Sequence, residues 1–336
     1  MNTLPAPAML YFAPDAIRAA IGYEDVVEPM AQALADYSRG LGESPVTVFA
    51  PAAEEGDVHV KSAWLPGRSV FTVKVASWFL ERSRRGGTPG TGVIAVFDAR
   101  TGDLRALLED EHHISDIRTA AAGALAARAL ARPDSSVLAV LGTGTQAYLQ
   151  TLAAADVLPV REVRIWGRNP ARLRRVADAV RARHPNVHVI AAPTARQACL
   201  GADVLVTATA SRDPFVDAAW LTPGMHITAV GADDPSKAEL SAECFERADR
   251  VVVDSRELSR THGDVARAGM DTGTLPELGQ IIAGTASGRE NDHDITVCKL
   301  IGLGVQDLAA TEVALHRLCD QTFRPRTPAA AGAHDL

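Results

Sequence analysis

The chain has 336 residues, of which 47% are hydrophobic and 5% aromatic, and its formal net charge at pH 7 is −7. This length is enough for about two domains with sizeable cores. The negative charge argues against a general nucleic-acid-binding surface, and neither a signal peptide nor an apolar run of transmembrane length is visible. The four cysteines are widely spaced and form no C-x-x-C pair, which predicts free thiols in a reducing cytoplasm.

The first third of the chain predicts helices followed by a mostly antiparallel sheet. Residues 14–40 show helical spacing of apolar residues, with an interruption near Gly22. Short alternating segments predict strands at Val46–Phe49, Val58–Val60, Val70–Val75, Val93–Phe97 and Leu104–Leu108. Ser115 is expected to cap a helix that runs to about Ala131, with Arg118 in its first turn. A cation there opposes the helix dipole, which favours an anion-binding Arg118 over the alternative of a solvated arginine.

A strand, a glycine turn and a helix start are predicted from Val137 onward. Five apolar residues, Val137 to Leu141, indicate a buried parallel strand, and a G-x-G-x-x-A pattern follows at Gly142, Gly144 and Ala147. The first glycine permits the tight turn, the second lets the backbone approach a pyrophosphate, and Ala147 lets helix and strand pack closely. The pyrophosphate would lie on the N–H groups of the helix start. A purely structural turn is the alternative, but the context favours dinucleotide binding.

The region after this turn alternates between strands and helices. Further strands are predicted at Val163–Trp166, Val187–Ile190, Val204–Thr209, His226–Val230, Val251–Val253 and Ile295–Cys298. The fold class predicted is α/β: a Rossmann-type doubly wound parallel sheet over residues 131–304, plus a second α+β substrate-binding and dimerisation domain. That second domain comprises residues 1–130, with a helix within 305–325 returning to it. Residues 326–336 are expected to be a disordered tail.

Two further patterns bear on cofactors and metals. The strand that ends at Trp166 is followed by Arg168 and lacks the acidic residue that usually binds the ribose hydroxyls of NAD. Arg168 can instead meet a 2′-phosphate, which favours NADP over NAD; a solvated arginine is the alternative. No metal site is predicted, because the adjacent His112 and His113 would point to opposite faces of a strand.

Several segments taken together resemble the ornithine cyclodeaminase/mu-crystallin family. In chain order they are Arg118–Ala122, Gly142–Ala147, Val230–Asp234 with Lys237 and Glu239, Ile295–Val297, and Gly304–Asp307. The resemblance spans about residues 14–320. It implies a homodimer whose first domain supplies the interface and the substrate pocket, and whose second domain binds NAD or NADP. It also implies hydride transfer at the carbon that bears the nitrogen of an amino or imino acid.

The same resemblance implies roles for single residues. Lys74 matches the lysine that faces the nicotinamide, Asp233 the aspartate that handles protons at the amine, and Arg118 the arginine that holds the substrate carboxylate. Cofactor contacts are expected at Thr119, Gly142, Thr143, Gly144, Gln146, Ala147, Arg168 and Thr209. A lysine beside a cationic nicotinamide and an arginine should lose its proton more readily and can then shuttle one. The alternatives are a surface lysine at position 74 and a turn residue at position 233.

Two departures from the family pattern concern the substrate. The segment Pro45–Val48 lacks the arginine that often forms a second clamp on the carboxylate, and Lys61 either replaces it or is simply exposed. The asparagine and Gly-Leu-Pro that usually follow the lysine strand are replaced by Glu81–Pro89. Three functions therefore stay open: an imino-acid reductase or amino-acid dehydrogenase, a cyclodeaminase-type ammonia lyase with bound NAD, and an NADPH-dependent small-molecule binding protein of the mu-crystallin kind.

Overall fold

The computed structural model describes residues 9–51 and 55–320. These residues form two compact units: the first runs to Ser115 and resumes at Leu303, and the second runs from Asp116 to Gly302. The division falls earlier than the boundary that the sequence predicts near residue 130. The first turn of the intervening helix bonds within the first unit, where His113 Nε2 lies 3.0 Å from the carbonyl oxygen of Ile21. The predicted tail, 326–336, lies outside the described residues.

The first unit is built on a six-stranded sheet. Its elements are β1 (Leu10–Phe12), α1 (Pro14–Ala20), α2 (Tyr23–Ser38), β2 (Val46–Phe49), β3 (Gly56–Ala63), β4 (Val70–Phe79), α3 (Leu80–Arg84), β5 (Gly90–Asp98), β6 (Leu104–Glu109) and α12 (Gly304–Cys319). The strand order is β1-β6-β5-β4-β3-β2. The sheet is antiparallel apart from β1, which the sequence did not predict and which runs parallel to β6.

The second unit is a seven-stranded parallel sheet with helices between its strands. Helix α4 (His113–Leu130) leads into it, and its further elements are β7 (Val137–Leu141), α5 (Thr145–Val157), β8 (Glu162–Trp166), α6 (Pro170–Arg183), β9 (His188–Ala191), α7 (Ala195–Cys199), β10 (Val204–Thr207), β11 (His226–Ala229), α8 (Ala242–Arg247), β12 (Arg250–Val253), α9 (Arg256–Ser259), α10 (Gly263–Arg267), α11 (Leu278–Ile282) and β13 (Thr296–Lys299). The order β12-β13-β11-β10-β7-β8-β9 is Rossmann-type, as predicted.

The strands of this parallel sheet are apolar because both faces are covered. Residues 138–141 of β7 are wholly buried, and those of β10, β11 and β13 are buried throughout. The strand order reverses between β7 and β10. Open parallel sheets bind ligands at the carboxyl ends of their strands near such a point. Within residues 9–51 and 55–320, no helix is long and apolar enough to cross a membrane.

The start of α4 differs from the sequence prediction. The helix begins at His113, and Asp110 Oδ2 accepts the backbone N–H of Ile114 at 3.0 Å. Ser115 therefore lies inside the first turn, so its prediction as the cap is wrong, and Arg118 lies in the second turn. His112 and His113 are not strand residues either. His112 follows β6 with a φ of 72°, in the left-handed region that few residues other than glycine adopt.

Candidate active site

The glycine turn after β7 has the geometry that a dinucleotide requires. Gly142 has a φ of 142°, and a Cβ there would lie 2.4 Å from the carbonyl oxygen of Ala208, so the position admits only glycine. A Cβ on Gly144 would meet no protein atom within 4 Å. Gly144 is also the N-cap of α5 and has no side-chain cap bond. The second glycine thus opens a space at a helix N-terminus, which fits a pyrophosphate.

The end of β8 lies against this turn. A Cβ on Gly167 would approach Thr143 Cγ2 to 2.4 Å, so glycine lets the two loops meet. Arg168 follows and is exposed. Asn169 then caps α6 by accepting the N–H groups of Ala171 and Arg172. An arginine consequently stands where dinucleotide folds place the residue that recognises the adenosine ribose.

Two of the predicted cofactor contacts bond within the protein. Gln146 Nε2 donates to Asp116 Oδ1 at 3.0 Å, and Gln150 Nε2 donates to the carbonyl oxygen of Thr119 at 2.8 Å. A Cβ on Gly123 would lie 1.8 Å from Gln150 Oε1, so α4 and α5 approach closely. The side chain of Gln146 therefore fixes α5 on the start of α4.

Arg118 is buried on α4, beside the loop that follows β13. Its guanidinium lies against Gly302, where a Cβ would approach Nη1 to 2.4 Å. Gly302 has a φ of 89°, and its N–H donates to Asp254 Oδ2 at 2.6 Å. Asp254 thus holds the loop in the shape that leaves room for the guanidinium.

The loop after β11 presents two adjacent carboxylates and a lysine. Lys237 Nζ lies 2.7 Å from Asp233 Oδ1 and 3.1 Å from Asp234 Oδ2. Burial opposes the charge of Lys237, but the two aspartates outweigh it and raise its pKa. Asp234 in turn accepts the N–H groups of Ser236 and Lys237. Asp233 is half-exposed and belongs to a loop whose shape the other two charged groups maintain.

A buried carboxylate joins the ends of β10 and β11. Glu239 Oε1 accepts the N–H and the hydroxyl of Thr209, at 2.6 and 2.7 Å. Glu239 Oε2 accepts the N–H of Gly231 and the hydroxyl of Thr207, both at 2.8 Å. Burial and the neighbouring Asp264 raise the pKa of Glu239 to about 7, while a lysine and the threonine donors lower it. Thr209 therefore supports the strand end from within.

The lysine beside this carboxylate is Lys299, at the end of β13. Its Nζ lies 2.9 Å from Asp264 Oδ2, and both side chains are fully buried. Neither Lys299 nor Asp264 was predicted from the sequence to have a role. A charged residue that ends an otherwise apolar buried strand was the available signal, because such a charge requires a partner.

A second buried charged cluster lies in the first unit. Lys74 on β4 donates to Asp307 Oδ1 of α12 and to Ser115 Oγ, each at 2.8 Å. Lys61 stands directly opposite Lys74 across β3 and β4, on the same sheet face, and is also buried. The alternatives of a surface Lys74 and an exposed Lys61 are excluded. Asp110 is buried nearby, and burial raises its pKa against the attraction of Lys74.

The predicted site residues thus fall into two groups. Lys61 and Lys74 share a cluster in the first unit. Arg118, Asp233 and the cofactor contacts belong to the second unit, at the start of α4 and in loops at the carboxyl ends of the parallel strands. Within the described residues, no group of three or more His, Cys, Asp and Glu side chains is arranged to hold a metal ion.

Comparison with known proteins agrees with the resemblance that the sequence motifs carry. The family model for the ornithine cyclodeaminase/mu-crystallin family matches residues 13–321. The chain belongs to this family. It is 32% identical to the ketimine reductase mu-crystallin of Mus musculus over 86% of this chain and 90% of that protein.

Solved structures of similar proteins carry nicotinamide cofactors. The Thermococcus litoralis Δ1-pyrroline-2-carboxylate reductase, in complex with NADH and L-proline, has a TM-score of 0.86 and 28% identity, and the match covers 92% of this chain and 97% of that one. An archaeal alanine dehydrogenase dimer with bound NAD has a TM-score of 0.84 and 29% identity, over 92% and 95% of the two chains. The predicted family and fold class are confirmed.

Proposed function

We propose that this family member is an NAD(P)-dependent oxidoreductase that interconverts an imino acid and the corresponding amino acid. The observation that carries the proposal is the buried Lys74–Asp307 pair, whose members are 2% and 1% exposed. A buried ion pair contributes little net stability, because desolvation offsets the attraction between its members. Its presence in a family whose members include a ketimine reductase and a pyrroline-carboxylate reductase supports a role in the reaction.

The residues take the following roles in the proposed reaction. The reduced nicotinamide, when bound, supplies the hydride that adds to the carbon of the C=N bond. Arg118 binds the substrate carboxylate through a bidentate pair, which fixes the carbon that reacts. Lys74 and Asp233 hold the proton that the nitrogen gains in reduction and loses in the reverse direction. Lys61 supplies a second positive charge for the carboxylate, in place of the missing first-strand arginine.

A substrate panel tests the reaction class. Purified protein is mixed with NADH or NADPH and with cyclic imino acids, α-keto acids plus ammonia or methylamine, and diamino acids. Reduced-nicotinamide absorbance and released ammonia are followed together. Consumption of the reduced cofactor with an imino or keto acid is expected. Release of ammonia from a diamino acid without net change in the cofactor would establish the cyclodeaminase alternative, and cofactor binding without either signal would favour the small-molecule binding protein.

The role of Lys74 has its own test. Lys74→Met removes the proton-carrying amine but keeps most of the side-chain volume. Turnover is expected to fall at least ~100-fold, because general acid–base groups typically contribute ~10²–10⁴. Cofactor affinity, measured by fluorescence titration, should stay within about twofold. Turnover retained in Lys74→Met would refute the assignment.

NADP is the proposed preferred cofactor, and the exposed Arg168 supports it. Arg168→Asp should lower the ratio of NADPH to NADH affinity by ~10-fold or more, because a hydrogen bond to a charged group contributes about 1.5–3 kcal/mol. Arg174→Asp is the matched control. Arg174 lies on α6, is exposed like Arg168, and undergoes the same change of charge. An unchanged ratio in Arg168→Asp, or an equal change in Arg174→Asp, would contradict the proposal.

A homodimer is proposed from the sheet of the first unit. On the face opposite Lys74, Val75 is 39% exposed and Tyr11 is 54% exposed. Phe71 and Phe97 stack on the same face, with ring centroids 4.9 Å apart. Apolar and aromatic side chains exposed together on one sheet face favour an interface, and the archaeal alanine dehydrogenase is a dimer. Light scattering should show a dimer that Val75→Glu converts to monomer; a wild-type monomer would refute the proposal.

A further inference from the structure

The motif Gly304-Val-Gln-Asp307 opens helix α12. A Cβ on Gly304 would lie 2.4 Å from the carbonyl oxygen of Ser62, so glycine lets the helix begin directly against β3. Gln306 Oε1 accepts the N–H of Leu303 at 3.1 Å and closes the first turn. The N–H of Val305 donates to Ser44 Oγ at 3.3 Å. Three residues of the motif thus fix where its fourth residue, Asp307, is held.

Asp307 lies where a negative charge is required. Its carboxylate is in the first turn of α12, where the helix dipole stabilises an anion. It contacts Lys74, which faces a second buried lysine, Lys61, across the strand pair. Like charges directly opposite in a sheet repel each other. Asp110 contributes a further carboxyl, and Ser115 accepts a hydrogen bond from Lys74. Asp307 is thus a carboxylate in direct contact with Lys74, at 2.8 Å.

Lysine is rare in this chain, and its placement supports a specific role for Lys74. Of 34 basic residues, four are lysines: Lys61, Lys74, Lys237 and Lys299. None of them is exposed, and three form ion pairs with aspartates at 3.1 Å or less. Arginine supplies the positive charge elsewhere, and arginine cannot lose its proton at ordinary pH. Lysine at position 74 is thus consistent with a need for a compact cation whose proton can move.

We propose that Asp307 is a positioning residue that fixes Lys74 Nζ and keeps it protonated at the pH of turnover. The inference rests on the proposed function in that Lys74 serves the reaction. In the reductive direction, hydride from the reduced nicotinamide joins the imine carbon and a proton from Nζ joins the nitrogen. Water then returns a proton to Nζ. Asp307 stays a carboxylate throughout and acts on the reaction only through the charge and place of Lys74.

Asp307→Asn tests the inference, because it keeps the shape of the side chain and removes its charge. An opposite charge within hydrogen-bond distance shifts a titration by ~1–3 pH units. The titration midpoint of Lys74 should therefore fall by about one unit or more, and the alkaline limb of kcat for imine reduction should move to lower pH by a similar amount. Asp307→Glu keeps the charge, so it should preserve the position of the limb while lowering kcat.

The matched control is Glu312→Gln on the same helix. Glu312 pairs with Arg68 at 2.8 Å, so the control also breaks an ion pair of α12. Neither the midpoint of Lys74 nor the alkaline limb should move in Glu312→Gln. A shift equal to that in Asp307→Asn would show a general effect of helix damage and would overturn the inference.

The titration of Lys74 needs no substrate. It is read from the Cε signals of protein labelled with 13C-lysine, where four lysines give four resonances and Lys74→Met assigns one. If the panel finds no substrate while Asp307→Asn still lowers the midpoint, the proposed function fails and the charge control by Asp307 stands. An unmoved midpoint overturns the inference whatever the panel shows. A moved midpoint with an unmoved alkaline limb overturns it as well.

A double-mutant cycle still tests the inference when Asp307→Asn folds poorly. Lys74→Met leaves the buried Asp307 without this cation, so adding Asp307→Asn should restore stability, with a higher urea midpoint than Lys74→Met alone. An equal or lower midpoint in the double variant would show that the two charges are not coupled and would overturn the inference.

Discussion

Replacing the buried Glu239 with glutamine should remove hydrogen bonds that join the ends of β10 and β11. Each carboxylate oxygen accepts a backbone N–H, from Thr209 at 2.6 Å and from Gly231 at 2.8 Å. Glutamine has one acceptor oxygen, so its NH2 group must face one of these N–H donors in either orientation. An unsatisfied buried donor costs ~1–3 kcal/mol. We therefore expect Glu239→Gln to lower the free energy of unfolding by about 1–3 kcal/mol.

The cost of this substitution should depend on pH. The folded-state pKa of Glu239, about 7, lies above the unfolded value of ~4.3, because burial and Asp264 raise it. The wild type therefore loses stability as pH rises through about 7, whereas glutamine does not titrate. Linkage gives a penalty that is smaller at pH 8 than at pH 6 by about 1 kcal/mol.

Urea denaturation at pH 6 and pH 8 measures both effects. Glu243→Gln is the control, since Glu243 is exposed on α8 and should change stability by less than ~0.5 kcal/mol. NADH affinity should also fall in Glu239→Gln, because ligands of open parallel sheets lie at the strand ends that Glu239 holds. A Glu239→Gln variant as stable as the wild type at both pH values would refute the reasoning.

Three further outcomes follow from the second unit. Gly142→Ala should abolish NADH binding in a fluorescence titration, because its Cβ would lie 2.4 Å from the Ala208 carbonyl oxygen; wild-type affinity would contradict this. Burial opposes the charge of Asp203, but two backbone N–H groups and an arginine outweigh it and lower the pKa. The stability that Asp203 adds should be complete above pH ~4 and be lost as pH falls. The urea midpoints of wild type and Asp203→Asn should therefore converge in acid. A gap between the midpoints that stays constant with pH would contradict this contribution of Asp203. Lys237→Met should lower kcat at least ~10-fold, because Asp233 loses its 2.7 Å partner; an unchanged kcat would show that Asp233 needs no such partner.

The sequence predicted features whose causes are local. The apolar run of β7 and the glycine at position 142 each follow from residues adjacent in the chain. The break between α1 and α2 near Gly22 was predicted for the same reason. Local patterns also located the first-unit strands, although β4 continues to Phe79, four residues beyond its predicted end.

Features that depend on distant partners were not predicted. Strand β1 has three residues and is defined by its pairing with β6, almost a hundred residues away. The capping role given to Ser115 belongs to Asp110, because the hydroxyl of Ser115 accepts a hydrogen bond from Lys74 instead. The contacts of Lys74 and Asp307 join positions 233 residues apart. No local periodicity carries that information, and only the family resemblance gave Lys74 a role.

The two buried lysine–aspartate pairs, one in each unit, share a physical logic. Lys74–Asp307 and Lys299–Asp264 each place a strand lysine against a helical aspartate with both side chains out of water. Apolar residues of similar volume would stabilise such positions equally well or better. What a buried pair supplies is a charge held at one place, since removing either member leaves the other without its partner in the pair. In the second unit that charge adjoins the strand ends expected to bind the cofactor, and in the first it holds the lysine proposed to carry the proton.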